Sequence, residues 1–254
     1  MSQTTLIESS VAPPPTQENL KSDDGIPMET QRHKVQIDML IDALLPWLEQ
    51  RSDGYVGGNM FVYFSLAQVR NQDFRGPDFF AVLGVPKGER RSWVVWEEGK
   101  GLDVVIELLS ETTASSDKNE KKLIYQNQLR VPEYFWFDPF NPDDWAGFVL
   151  KHGVYEPLSS NARNQLVSQL LGLALVRWQG NYKGINATWL RWATLDGELL
   201  LTPQEIAEQA QQRADKAESQ LLMTARNLLQ SGMTVEQVVR LTGLPESQVQ
   251  QLLA

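Results

Sequence analysis

The stretch Val104-Val105-Ile106-Glu107-Leu108-Leu109-Ser110 carries one carboxylate inside an otherwise apolar run. A carboxylate there is costly to desolvate unless a cation or a metal meets it. On a strand period of two, Asp103, Val105, Glu107 and Leu109 share one face and Val104, Ile106 and Leu108 the other. Glu107 therefore projects toward whatever lies outside the strand's C-terminal end, where open sheets commonly bind ligands. Two readings stand: a structural ion pair with Arg90, Arg91 or Arg130, or a carboxylate with chemical work to do.

A second carboxylate, Asp78, follows Gly76-Pro77 and precedes the apolar run Phe79–Leu83, at the mouth of another strand. By itself it reads as a turn or capping residue; beside Glu107 it supplies a second oxygen ligand for a hard divalent cation. Downstream, Asp117, Lys121 and Tyr125 are spaced by fours, which puts them along one helical face. A lysine on that face reaches back toward Glu107, although DKNEKK is also what a solvated helix surface looks like.

Several elements must hold these residues. Val35, Ile37, Leu40, Ile41, Leu44, Leu45 and Leu48 recur at threes and fours and predict an amphipathic helix over 34–50, with Pro46 kinking or ending it. Met60–Phe64, Phe79–Leu83, Trp93–Trp96, Val104–Leu109, Tyr134–Phe137 and Gly147–Leu150 read as strands between Gly, Pro, Asn and Asp turns. The segment 116–129 reads as a helix crossing between two strands, the mark of a sheet with a parallel pair. The nearly apolar 163–178 is expected to be a buried helix or helix-strand element, and 182–201 a hairpin around Asp196-Gly197.

The expected fold is thus α/β, a mixed sheet flanked by helices, over residues 30–201. Residues 1–29, rich in Ser, Thr, Gln, Asp and Pro, are expected to form a disordered arm. Residues 202–230 consist of strong helix formers with an alanine seam, a possible coiled coil; 231–254 reads as a helix-turn-helix-like tail with a capping box, Thr234-x-x-Gln237. Arg240 is the single basic residue after Arg226, which favours packing or self-association of the tail over DNA reading.

Composition closes off other chemistry. With no cysteine and only His33 and His152, thiolate zinc sites, cysteine nucleophiles and histidine-rich metal sites are excluded or poorly supplied. Neither a Walker-type phosphate loop nor a dinucleotide fingerprint is present. The apolar runs are too short to span a membrane and the start lacks a secretory pattern, so the expected location is cytoplasmic. The net charge of -9 opposes non-specific coating of nucleic acid. Residues 30–200 hold 18 basic and 21 acidic residues, so most of the excess belongs to the ends and a basic cleft in the middle stays open.

Taken in order, the motifs Gly76-Pro77-Asp78, Glu107 to Ser110, Thr112 or Thr113 through Asp117-x-x-x-Lys121-x-x-x-Tyr125, and Val131–Pro139 resemble the Uma-two family of restriction-type endonucleases. That family is a branch of the PD-(D/E)xK nuclease superfamily. The resemblance covers about residues 34–200 and implies a restriction-endonuclease-like core that cuts DNA with Mg²⁺, or Mn²⁺ in its place. It carries Asp78 and Glu107 over as metal ligands, joined by the Leu108 backbone carbonyl, and Lys121 as the active-site lysine. Asp103 and Lys122 are auxiliary candidates, for a second metal and as a substitute lysine. One departure stands out: the superfamily's usual lysine position, two after the acidic residue, is Leu109 here. The resemblance also implies a 5′-phosphate product and a homo-oligomer, such as a dimer cutting both strands. The rival reading is a catalytically silent nucleic-acid-binding or assembly protein that uses its coiled tail.

Overall fold

Helix α1, Gln31–Glu49, follows the apolar period of its sequence, burying Val35, Ile37, Leu40, Leu44 and Leu48. Thr30 caps it, its hydroxyl accepting the His33 N–H at 3.2 Å and so satisfying a first-turn donor. Pro46 stays inside the helix, close to its end. The computed structural model describes residues 13–22, 30–71, 76–111 and 113–253.

Among the described residues the strands are β1 Tyr55–Gly57, β2 Val62–Tyr63, β3 Phe79–Val82, β4 Trp93–Val94, β5 Val104–Leu108, β6 Glu133–Phe137, β7 Trp145–Lys151, β8 Val154–Pro157, β9 Leu166–Ser168, β10 Leu173–Tyr182 and β11 Ile185–Ala193. The main sheet has the order β1-β3-β5-β6-β7-β8. Within it β5 and β6 run parallel, and their neighbours pair antiparallel. A parallel pair needs a long crossover. The helical segment 114–129 provides it, two residues longer at its start than the sequence suggests.

The alternation along β5 separates two cores. Val104, Ile106 and Leu108 pack with α1 and with Leu173, Leu175, Leu190 and Trp192 of the second sheet, β11-β10-β9. Val105 points the other way, among Phe80, Tyr125, Tyr134, Phe148 and Tyr155 beneath the crossover helix. Glu107 shares that second face, as its strand period requires.

Several expectations change. Residues 163–178 form β9 and part of β10, not a helix. A nearly all-apolar run gives no period to read, and the nine-residue register of β10 with β11 decides it. The hairpin turns at Lys183-Gly184, both with positive φ (47° and 79°), as a tight two-residue turn between right-twisted strands requires. Asp196-Gly197 makes only the smaller return that brings Leu199 back to Ala193. Trp93–Trp96 is half strand and half a short helix, Val95–Glu98. The short strands β1 and β8 are additions, set by pairing with β3 and β7.

Part of the expected disordered arm is held in place. Residues 13–22 lie against the domain through Trp96 Nε1 donating to Pro15 O (2.8 Å), Tyr63 Oη donating to Lys21 O (2.7 Å) and Arg91 N–H donating to Gln17 Oε1 (2.9 Å). The rest of that arm, 1–12 and 23–29, lies outside the described residues.

The chain divides between Thr202 and Pro203 into two compact units. The second contains helices Pro203–Gln230, Val235–Thr242 and Glu246–Gln251 around a small core of Ala225, Val238, Leu244 and Val249. The capping box is reciprocal: Gln237 N–H donates to the Thr234 hydroxyl and Thr234 N–H to Gln237 Oε1. Residues 206–221 of the long helix are exposed on every side. Among the described residues no helix is long and apolar enough to cross a membrane.

Candidate active site

Strand register brings the two candidate carboxylates together. Phe79 pairs with Ile106 in the antiparallel β3–β5 ladder, so one step further Asp78 stands across from Glu107. The ladder is not continued by backbone there. Instead the Leu108 N–H donates to Asp78 Oδ2 at 2.7 Å. The Asp78 backbone is fixed from the other side, where Asn59 N–H donates to Pro77 O (3.0 Å) and to Asp78 O (3.3 Å). That approach needs a glycine before Asn59, because a Cβ on Gly58 would lie 2.4 Å from Asp78 O.

The crossover helix closes over Glu107. Tyr125 Oη donates to Glu107 Oε1 at 2.6 Å, and Lys121 Nζ donates to Glu107 Oε2 at 3.2 Å. One turn earlier, Asp117 Oδ1 lies 2.6 Å from Lys121 Nζ. The side chains of Glu107 and Asp117 are 0% exposed and that of Lys121 25%. The helix widens to i→i+5 bonding over Asp117–Lys121 and Tyr125–Leu129, a feature frequent at functional sites. Tyr134 of β6 anchors the first widened turn, its hydroxyl donating to the Asp117 backbone carbonyl at 2.9 Å.

Burial sets the charge states. Loss of hydration pushes Glu107 up to about 8, with Lys121 opposing and the nearby Asp78 and Asp117 adding to the rise. Asp78, which keeps part of its surface exposed, is pushed up to about 6 by desolvation, with the Leu108 N–H pulling the other way. Burial works against the Lys121 ammonium, yet Glu107 and Asp117 hold it above its usual range.

Two carboxylates thus contact one lysine, and Asp78 stands across the strand register from one of them. The N–H and C=O of one strand residue point to the same side, so the Leu108 carbonyl faces the side of Asp78. Asp78, Glu107 and that carbonyl are a fitting donor set for a hard divalent cation that keeps several waters. Among the described residues no group of three or more His, Asp and Glu side chains is arranged to hold a metal.

The structure brings Asp78, Glu107, Leu108 and Lys121 together and leaves the other candidates elsewhere. Asp103 lies at the opposite end of β5, about 13 Å along the strand from Glu107. There it accepts the Leu83 N–H (2.7 Å) and pairs with Lys100 (2.9 Å), so it ties a turn away from the other candidates. Lys122 turns away, its Nζ 3.4 Å from the centroid of the Phe148 ring, because consecutive helical residues point about 100° apart. Of the arginines named as partners for Glu107, Arg90 is engaged elsewhere: it pairs with Glu98 at 2.7 Å and covers Tyr55 and Trp93. Leu109, at the superfamily's lysine position, is fully buried, and its carbonyl accepts from His33 Nε2 at 3.1 Å. The sequence places Asp117 and Tyr125 on the face that reaches toward Glu107, and the structure adds their contacts with Lys121 and Glu107. A cavity of about 600 Å³ past the ends of β5 and β6, lined by Thr30, His33, Ser110, Asp138 and Phe140, contains none of the converging groups.

Comparison with known proteins adds a family. The model of the Uma2 family, described as "Putative restriction endonuclease", matches residues 23–179. No curated protein matches the chain. Among solved structures, one from Anabaena variabilis ATCC 29413, described as "a putative nuclease belonging to DUF820", is similar at 13% identity, covering 62% of this chain and 91% of its own, with a TM-score of 0.42.

Proposed function

Since this chain belongs to the Uma2 family of restriction-endonuclease-type proteins, we propose that it is a metal-dependent endonuclease that hydrolyses phosphodiester bonds in DNA. The observation that carries the reading is the Lys121–Glu107 contact at 3.2 Å, which supplies a lysine to the acidic pair although Leu109 fills the usual position. Asp78, Glu107 and the Leu108 carbonyl hold Mg²⁺, with Mn²⁺ as a substitute. When bound, the ion polarises the scissile phosphate and lowers the pKa of a coordinated water. The protein's own groups do the positioning: Tyr125 fixes the rotamer of Glu107, and Leu108 N–H and Asn59 N–H fix Asp78. Lys121 orients the attacking water or neutralises charge gathering on the phosphate.

Cleavage of mixed plasmid, single-stranded DNA and RNA with Mg²⁺ or Mn²⁺, run beside Glu107→Ala prepared identically, tests this. Cutting by the wild type alone is expected. Equal cutting by Glu107→Ala overturns the assignment of the site, and cutting of RNA only overturns the substrate.

A second reading, assembly through the C-terminal unit, draws on residues 206–221, a helical stretch exposed on every side within one chain. A helix without a packed face draws its stability from local pairs or from a partner. We take the enzyme to act as a homo-oligomer, a dimer in the simplest case, that uses this helix.

A further inference from the structure

Asp117 belongs to no metal cluster, yet its placement is not that of a surface helix residue. Its side chain is 0% exposed, and Lys121 Nζ, 2.6 Å from Oδ1, is the one cation that meets it among the described contacts. No hydrogen bond satisfies its other oxygen, Oδ2, in the structure. A buried carboxylate so poorly satisfied is costly and is retained where it does something. The site around it is unequal: Lys121 is shared between Asp117 at 2.6 Å and Glu107 at 3.2 Å, and the shorter contact is to the residue outside the metal's donor set.

We infer that Asp117 is a positioning residue for Lys121, holding its ammonium over the acidic pair when Glu107 turns its charge to a bound cation. The inference rests on the nuclease reading above and assigns a fifth side chain to that site. The backbone is built for it. Tyr134 Oη holds the Asp117 carbonyl, and the widened turn between Asp117 and Lys121 sets both side chains on the face toward Glu107.

The variants Asp117→Asn and Asp117→Glu, with Lys121→Ala and the Asp117→Asn/Lys121→Ala pair, separate positioning from ligation and from mere packing. Asp117→Asn is expected to bind Mn²⁺ in calorimetry within about two-fold of wild type, whereas Glu107→Gln loses it. Its kcat is expected to fall about 100-fold with KM for DNA unchanged, the scale of a misplaced proton donor, with partial rescue in Asp117→Glu. In the Lys121→Ala background Asp117→Asn is expected to cost nothing further. Loss of Mn²⁺ binding equal to that of Glu107→Gln, or full kcat in Asp117→Asn, overturns the inference.

A readout independent of cleavage keeps the two failures apart. The Lys121 ammonium, observed by ¹⁵N-resolved NMR, is expected to be protected from exchange in wild type and in Glu107→Gln and unprotected in Asp117→Asn. Persistent protection in Asp117→Asn overturns the positioning role. If no substrate is cut by the wild type, the nuclease reading fails while the ammonium signal still decides whether Asp117 holds Lys121.

Discussion

The phenol of Tyr125 reaches across from the crossover helix to donate to Glu107 Oε1 at 2.6 Å, linking two buried residues eighteen positions apart. Tyr125 is itself walled by Tyr134, with ring centroids 5.3 Å apart, so the donor has little freedom to leave. The carboxylate's orientation is thereby set by a neutral group.

Tyr125→Phe removes that donor and leaves Glu107 Oε1 buried and unsatisfied. A loss of about 1 to 3 kcal/mol in unfolding free energy is expected, read from the urea midpoint at constant slope. Unchanged stability would show that Glu107 finds another donor.

Glu107→Gln removes an ionisation that the fold resists. The free carboxyl titrates near 4.5 in an unfolded chain and near 8 in the folded one. Between those values the folded state binds more protons than the unfolded, so stability of the metal-free wild type falls as pH rises through that window. Thermal melts at pH 5 and pH 8 are expected to show the variant gaining on wild type at the higher pH. The rise in Tm that Mn²⁺ gives the wild type is expected to vanish in the variant.

Gly58→Ala places a methyl group against the Asp78 carbonyl and Ile37, at 2.4 and 2.8 Å in the undistorted backbone. Since one of those atoms is backbone, relief requires Asp78 to move. A cost of about 1 to 3 kcal/mol in stability is expected, together with weaker Mn²⁺ binding by calorimetry. Wild-type metal affinity in a folded variant would detach Asp78 from the metal site.

The two adjacent lysines are expected to part company. Lys121→Ala is expected to lower kcat by about 100-fold or more while leaving measurable cleavage, whereas Lys122→Ala, which removes an ammonium lying over Phe148, leaves kcat within a few-fold of wild type. Equal losses in single-turnover assays contradict the assignment of Lys121 alone.

Deleting residues 203–254 removes one compact unit at its boundary. The remaining chain is expected to keep its fold by circular dichroism and to drop to monomer mass in sedimentation. A truncated protein of unchanged association state rules out assembly through the tail.

What the sequence determined by itself is whatever depends on neighbours along the chain. The threes and fours of Val35 to Leu48 dictated α1, the alternation through Val104–Leu108 dictated which face of β5 holds Glu107, and Thr234 with Gln237 dictated a helix start. The order of Asp78, Glu107 and Lys121 was legible too, since a lone carboxylate in an apolar strand demands a partner. Tertiary structure alone decided which cation answered: three arginines were available, but the crossover between the parallel strands β5 and β6 delivers Lys121 and Tyr125 over Glu107. The all-apolar Leu173–Val176 had no period, so only pairing with β11 made it a strand. Asp103 and Lys122 match the site in type and sequence distance, and lose it to strand length and helix rotation. Those are properties of space that spacing along the chain does not encode.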